Sequence, residues 1–178
     1  RSDYLTEPVS QQLHTYGIAP WIPFYGTGVS GTDPYVFWSQ ACPHITGGWD
    51  IRRKDLDYPA IRAIVAEWRA LSPLMLADFY PLTAYDVGTD AWMGWQFHRP
   101  EDGKGMILVF RRPDSVYEAA RLPLFGIDEK ATYRVRDRSG KAVRTARGSE
   151  LMERGLKVEI TDRPGVALLV YESTPARK

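Results

Sequence analysis

Two short apolar segments, residues 20–25 and 44–51, constrain the fold of this chain more than any other feature. Each runs into glycines and aromatic residues and lacks a polar face, so each is predicted to be a buried parallel strand that ends in a loop. Between them, Asp33 followed by Pro34 is a helix start signal, because aspartate caps helices and proline favours the first helical position. The order strand, helix, strand indicates a parallel α/β unit.

The same alternation extends on both sides of this unit. Residues 8–16 are predicted to form a helix that follows a strand end at residues 1–5. Asp57-Tyr-Pro59 is a second helix start signal, and residues 58–71 carry apolar side chains at spacings typical of an amphipathic helix. Three β-α units in succession build a doubly wound sheet or a (β/α) barrel, and in both the chemistry lies at the C-terminal ends of the strands. Tyr25 and Asp50 are predicted to lie at those ends.

A domain boundary is predicted near residue 76, because helical periodicity disappears and short β-rich runs separated by turn residues take its place. Residues 1–76 would form the α/β part, and residues 77–178 an antiparallel β-sandwich. We expect residues 81–172 to behave better alone than the whole chain does. The predicted strands of the sandwich are residues 91–98, 106–111, 121–125, 131–137, 156–161 and 166–172.

Composition narrows the classes of partner. The formal net charge is +1, from 23 basic and 22 acidic residues, so no strong field favours nucleic acid or an anionic membrane. No apolar run approaches the roughly 18 residues that a membrane-spanning helix needs. His14, His44 and His98 have no metal-ligand spacing, and no cofactor is predicted. The sequence leaves a cytoplasmic or secreted location and homo-oligomerisation open.

The start of the chain suggests that it is a piece of a longer polypeptide. There is no initiating Met, and the first residues, Arg1 to Leu5, begin as if inside an element already under way. The remaining N-terminal part of the same polypeptide is therefore a predicted partner. The single cysteine, Cys42, excludes an internal disulfide.

The run Gly26-Thr-Gly28-Val-Ser-Gly31 matches the dinucleotide-binding fingerprint, with Asp50 at about the right distance after it. In that motif the helix should begin within the glycine run, so that its amides face the pyrophosphate. Here the start signal at Asp33 follows the run, and its carboxylate would repel an anion. The nucleotide interpretation is therefore the weaker one.

Carboxylates beside aromatic residues suggest a second chemistry. Hydrolysis of a glycosidic bond uses two carboxyl groups, and aromatic faces commonly stack on the sugar. Asp3 and Asp50 lie at predicted strand ends, and Trp21 and Trp49 lie nearby. The alternative for Asp50 is a salt bridge with the arginines that follow it, which the residues alone favour over a catalytic role. For the tryptophans the alternative is core packing.

Five motifs carry a resemblance to a known family. The chain resembles glycoside hydrolase family 36, the α-galactosidases or melibiases, nearly from end to end. The resemblance implies that residues 1–76 are the last three units of a (β/α)8 barrel and that a C-terminal β-sandwich follows. The motifs are Pro20-Trp-Ile-Pro-Phe-Tyr-Gly26, Gly47-Gly-Trp-Asp-Ile-Arg52, Asp78-Phe-Tyr-Pro-Leu82, Trp95-Gln-Phe-His-Arg-Pro100 and Phe110-Arg-Arg-Pro113.

The resemblance also implies site residues for a retaining glycosidase acting on a carbohydrate. Ser2-Asp3 matches the family's Ser-Asp pair, which makes Asp3 the general acid/base, while the nucleophilic aspartate belongs to a strand that this chain does not contain. Substrate-contacting or rim residues would be Trp21, Tyr25, Trp49 and Asp50. The fragment alone would then be catalytically incomplete. The alternative is a non-catalytic carbohydrate-binding or structural β-sandwich module that carries a barrel remnant.

Overall fold

A computed structural model describes residues 7–174. The strand end predicted at residues 1–5, and with it Asp3, lies outside the described residues. In chain order the elements are α1 (Pro8–Ile18), β1 (Gly26–Val29), α2 (Pro34–Gln40), β2 (His44–Gly47), α3 (Tyr58–Leu71), a 3₁₀ helix (Ser72–Leu76), β3 (Asp78–Pro81), β4 (Trp92–Arg99), β5 (Lys104–Arg111), β6 (Ala119–Leu122), β7 (Thr132–Asp137), β8 (Ala142–Arg147), α4 (Gly148–Glu153), β9 (Leu156–Glu159) and β10 (Gly165–Thr174).

The first part of the chain contains the predicted parallel unit. Strands β1 and β2 pair in parallel, with Gly26 opposite His44, and helix α2 connects them. The start signals act as predicted: the Asp33 side chain accepts a hydrogen bond from the backbone N–H of Val36 at 3.0 Å, and Asp57 caps α3 in the same way. The predicted order of strand, helix, strand and helix is therefore confirmed for residues 26–71.

The strand predicted at residues 20–25 is wrong. After α1 the chain continues as a turn, in which the backbone N–H groups of Trp21 and Ile22 both donate to the carbonyl oxygen of Ile18. Pro20 and Pro23 lack the N–H groups that a paired strand would need. The strand is formed instead by the glycine run from Gly26, so it lies about one strand length later in the sequence than predicted.

The second part is an antiparallel sheet of six strands in the order β3-β4-β5-β10-β7-β8. Every predicted strand of this part has a counterpart, although β6 begins earlier than predicted. The sequence analysis missed β3 and β8, which are the two edge strands, and also the short helix α4. Strand β8 was missed because Val143 and both arginines of the strand are exposed, so no buried apolar pattern marks it.

Different elements pack on the two faces of this sheet. On one face, Ile107 and Val109 of β5 join a core with side chains of the antiparallel pair β6–β9, so the two layers form a sandwich. On the other face, alternate β5 residues pack against residues that precede the sheet. That second cluster includes Met106, Leu108 and Phe110 from β5, Phe37 and Trp38 from α2, and Met75 from the 3₁₀ helix.

The second cluster corrects one expectation. Residues 81–172 are expected to behave better alone than the whole chain, but the part of one sheet face formed by β4, β5 and β10 is buried by residues 29–75. The division at residue 76 remains a prediction, since the sheet does begin at Asp78 while its core extends across that point. Within residues 7–174, no helix is long and apolar enough to cross a membrane.

The Trp95-Gln-Phe-His-Arg-Pro100 motif of β4 has a structural explanation. The side chain of Gln96 donates to the carbonyl oxygen of Phe125 at 2.9 Å and to the Tyr171 hydroxyl at 2.7 Å. That hydroxyl lies 3.1 Å from Nδ1 of His98, so the hydroxyl can donate to a neutral imidazole. Burial lowers the pKa of His98, which favours this neutral form. The motif therefore supplies a satisfied polar network inside the sandwich.

Candidate functional site

The C-terminal ends of β1 and β2 lie side by side and form what we call the β1–β2 edge, made of Ser30, Gly48, Trp49 and Asp50. The backbone N–H of Gly48 donates to the carbonyl oxygen of Val29 at 2.8 Å, which holds the two chain segments together beyond the strands. A Cβ atom at Gly48 would lie 3.1 Å from that oxygen, so glycine permits the close approach. This is the end of a parallel pair at which ligands bind in α/β folds.

Asp50 is the exposed carboxylate of this edge. Its two oxygens accept bonds from the Arg52 guanidinium at 2.8 and 2.9 Å, and the Arg52 backbone N–H adds a third at 3.1 Å. The salt bridge with Arg52 that the sequence favoured is therefore confirmed. The Arg52 side chain holds the pKa of Asp50 below its usual range, so Asp50 is ionised at neutral pH and is no general acid. Its remaining lone pairs could still accept bonds from sugar hydroxyls.

Trp49 is half-buried at the same edge. Its ring packs over Gly47, where an added Cβ would lie 3.1 Å from the indole, and part of the ring contacts the core cluster that contains Phe37 and Trp38. Trp49 thus combines an anchored side with an accessible side. An aromatic ring held in this way can present its free surface to a ligand.

Trp21 and Tyr25 are not at this edge. Tyr25 immediately precedes β1, and its carbonyl oxygen accepts a bond from the N–H of His44, so it lies where the parallel strands begin. Its side chain is buried beside Ala19 and Cys42, and burial raises the pKa of its hydroxyl. Trp21 is 83% exposed in the turn after α1. The positions predicted for both residues at strand ends were wrong, while their contact with substrate remains a prediction.

The two tryptophans should therefore respond differently to truncation. Trp21→Ala is expected to change the free energy of unfolding by less than about 0.5 kcal/mol, because the side chain is largely in solvent. Trp49→Ala is expected to lower it by about 2 kcal/mol, roughly half the effect of removing a fully buried aromatic ring. Urea denaturation followed by circular dichroism measures both changes. Equal losses would contradict the assigned burial.

The glycine run does not form a phosphate-binding loop. Residues Gly26–Val29 are strand β1, and the following helix begins only at Pro34, where the Asp33 carboxylate accepts a hydrogen bond from the N–H of Val36. The amide of Ser30 donates instead to the side-chain oxygen of Gln40 at 2.8 Å. The nucleotide interpretation is wrong, because the glycine run is a paired strand and the helix begins beyond it, behind the Asp33 carboxylate.

One cavity formed by the described residues has no residue of the β1–β2 edge in its lining. It is a groove of about 1110 Å³ in the sandwich, lined by charged residues such as Arg121 and Lys157 and by aliphatic ones such as Leu156. Among residues 7–174, no aromatic ring lines it, so it offers no face for stacking a sugar. The volume of this groove therefore does not by itself make it the functional site, and the β1–β2 edge, which carries Trp49 and Asp50, is the better candidate.

Sequence reasoning missed the polar side chains that support this edge. Gln12, Ser39 and Gln40 are buried in helices α1 and α2, and Arg112 is buried after β5. Nothing in the sequence near a helical glutamine indicates that its side chain is buried and hydrogen-bonded, because its partner is far away in the sequence. The Arg111-Arg112 pair beside a proline is the one visible hint, and it lay within a motif of the resemblance.

Comparisons with known proteins agree with the fold. Residues 92–168 match the family model described as the glycosyl hydrolase family 36 C-terminal domain. The α-galactosidase from Lactobacillus brevis superposes with a TM-score of 0.72 at 14% sequence identity, over 97% of this chain and 26% of that one. The family 36 α-galactosidase AgaB from Geobacillus stearothermophilus gives a TM-score of 0.68 at 19% identity, over 95% of this chain and 25% of that one.

A third structure, the galactosidase domain of the α-galactosidase-sucrose kinase AgaSK, gives a TM-score of 0.67 at 16% identity. It matches over 95% of this chain and 25% of its own length, so this chain spans about a quarter of the solved structures that it resembles. A search of curated protein sequences gives no match. Residues 92–168 are thus similar to the C-terminal domain of glycosyl hydrolase family 36, and the chain as a whole shares its fold with about a quarter of each of these α-galactosidase structures.

Proposed function

We propose that this chain is the C-terminal part of a retaining α-galactosidase. Residues 1–76 would supply the last three units of its (β/α)8 barrel, and residues 77–178 its C-terminal β-sandwich. The observation that carries the proposal is the family 36 domain at residues 92–168, preceded by a parallel β-α-β unit. Among residues 7–174, β1 and β2 pair only with each other, so each has an outer edge available to a further barrel strand.

Exposed apolar side chains support the same proposal. Trp21 is 83% and Phe24 is 63% exposed, and Ile22 between them is 47% exposed. Large apolar side chains grouped in this way mark a surface that another part of a protein covers. The upstream part of the same polypeptide would cover them, in keeping with the share of the α-galactosidase structures that this chain leaves unmatched.

In the proposed enzyme, Asp3 protonates the leaving oxygen and then deprotonates water, while an upstream aspartate attacks the anomeric carbon. The two carboxyl groups of a retaining enzyme lie about 5–5.5 Å apart, and the reaction needs no cofactor. Asp50 would accept hydrogen bonds from sugar hydroxyls, and Trp49 would offer its free face to the sugar ring. Trp21 would be a rim residue at the junction with the upstream part.

The test is hydrolysis of an aryl α-galactoside. The polypeptide that continues this chain upstream is expected to release the aryl group, whereas the 178-residue chain alone is expected to be inactive, because it lacks the nucleophile. The matching control is the same upstream polypeptide without these residues. Hydrolysis by the 178-residue chain alone would contradict the proposal. A longer polypeptide that binds galactosides without hydrolysing them would favour a non-catalytic module.

A further inference from the structure

Two consecutive buried arginines lie at the end of the central strand β5 and reach in opposite directions. Arg111 is 4% exposed, and its guanidinium donates to the carbonyl oxygens of Ser115, Ile160 and Thr161, all within the sandwich. Arg112 is 0% exposed and reaches the helical side of the sheet. There its Nε donates to the side-chain oxygen of Gln12 in α1 at 3.0 Å.

The Arg112 guanidinium is tightly held. Its Nη1 donates to the carbonyl oxygen of Asp86 at 2.7 Å and to that of Gly88 at 2.6 Å. Burial lowers the pKa of Arg112, yet an arginine keeps its charge in proteins, so this is a buried cation, held through Nε and Nη1 while Nη2 has no hydrogen-bond partner among residues 7–174. Within residues 7–174, no carboxylate forms a salt bridge with it. The side-chain oxygen of Gln12 is therefore one of three acceptors that hold this buried cation, beside the two backbone carbonyls.

The link continues from Gln12 to the candidate site. The side-chain nitrogen of Gln12 donates to the Ser39 hydroxyl in α2 at 2.9 Å, and both residues are 0% exposed. The next residue, Gln40, accepts the hydrogen bond of the Ser30 amide at 2.8 Å. Ser30 is the first residue beyond β1 and belongs to the β1–β2 edge. Two hydrogen-bonded links, joined by the adjacency of Ser39 and Gln40 in α2, thus connect the end of β5 to the site.

We propose that Arg112 is a positioning residue for glycoside hydrolysis, acting from the sandwich side of the molecule on the β1–β2 edge through Gln12, α2 and Gln40. The expected effect on the rate of hydrolysis rests on the proposed function. The connection between Arg112 and the β1–β2 edge does not depend on it. Arg112 touches no substrate in this account. It fixes α1 against α2, and α2 fixes the end of β1, where displacements of about 1 Å can lower a rate by about 100-fold.

The first arm of the test measures amide hydrogen exchange in the complete polypeptide, comparing Arg112→Lys with the matched control Arg111→Lys. Lysine keeps the charge in both but cannot reproduce the forked donor geometry. In Arg112→Lys, the Ser30 amide is expected to exchange about fivefold faster or more relative to the Leu108 amide in the central strand. In Arg111→Lys this ratio should stay at the wild-type value. The same ratio in both variants would overturn the link.

The second arm measures kcat/KM per folded molecule for an aryl α-galactoside. Arg112→Lys is expected to lose about 10-fold to 100-fold, and Arg111→Lys less than about twofold. If Arg112→Lys does not fold, Gln12→Leu and Gln12→Glu decide instead, because glutamate keeps an acceptor for Arg112 and a partner for the Ser39 hydroxyl. We expect Gln12→Leu to lower kcat/KM and Gln12→Glu to retain it. Equal kcat/KM in the two variants would overturn the inference. An inactive wild-type polypeptide contradicts the proposed function, and the exchange ratio still decides the link.

Discussion

Truncation of the chain to residues 81–172 is expected to produce an aggregating protein, although these residues contain most of the six-stranded sheet. The cut removes α2 and the 3₁₀ helix, which cover one face of the sheet. That face would then expose apolar side chains that are at most 2% exposed in the chain, namely Met93, Trp95, Phe97, Met106, Leu108, Phe110 and Leu168. Uncovered surfaces of this size drive association.

Static light scattering after size-exclusion chromatography, with near-ultraviolet circular dichroism, measures this outcome. The 178-residue chain, tested in the same buffer, is the control. It keeps the sheet covered but still exposes Trp21 and Phe24, so it is expected to associate less than the truncated form. A monodisperse 81–172 protein with a cooperative unfolding transition would contradict the view that both faces of the sheet need their covers.

Replacement of Asp3 by Ala in the complete polypeptide is expected to have the largest kinetic effect. Hydrolysis of substrates with poor leaving groups should slow by about 10²-fold to 10⁴-fold, because the leaving oxygen then lacks its proton donor. Substrates with activated aryl leaving groups need little protonation in the first step and should lose much less. Steady-state kinetics over a series of aryl α-galactosides with leaving groups of graded pKa measure this dependence.

The control for that experiment is Asp50→Asn. Asp50 is ionised and paired with Arg52, so it cannot supply the proton, and its replacement should act on all leaving groups alike through substrate binding. If Asp3→Ala lowers the rates for all aryl groups by the same factor, Asp3 is not the acid/base. If Asp50→Asn shows the steeper leaving-group dependence, the roles of the two carboxyl groups are reversed.

The predictable part of the fold rests on local signals. The helices α2 and α3 begin where Asp33 and Asp57 predict them, because capping aspartates followed by proline act within one turn. The strands β4, β5 and β10 were predicted from β-rich apolar runs, which remain visible in a sequence whether one or both faces of the strand are buried. These signals are short-range, so they survive without knowledge of the tertiary structure.

The wrong or missing parts have physical causes. The apolar run around Trp21 looked like a buried strand, but two prolines exclude ladder pairing, and the glycines that seemed to form a loop allow β1 to approach β2 closely. Because of this error, Tyr25 was predicted to lie at the end of a strand, whereas it immediately precedes β1. The bond between Arg112 and Gln12 joins residues 100 positions apart, and no periodicity or motif in one sequence can indicate such a contact.

The anomeric configuration of the first galactose released tests the proposed function most directly. The complete polypeptide would be incubated with an aryl α-galactoside and followed by ¹H NMR before mutarotation equilibrates the product. Two carboxyl groups about 5–5.5 Å apart give retention, so α-galactose is expected to appear first. Initial release of β-galactose, which a separation of about 6.5–9.5 Å would favour, or no hydrolysis at all, would contradict the assignment of this chain to a retaining α-galactosidase.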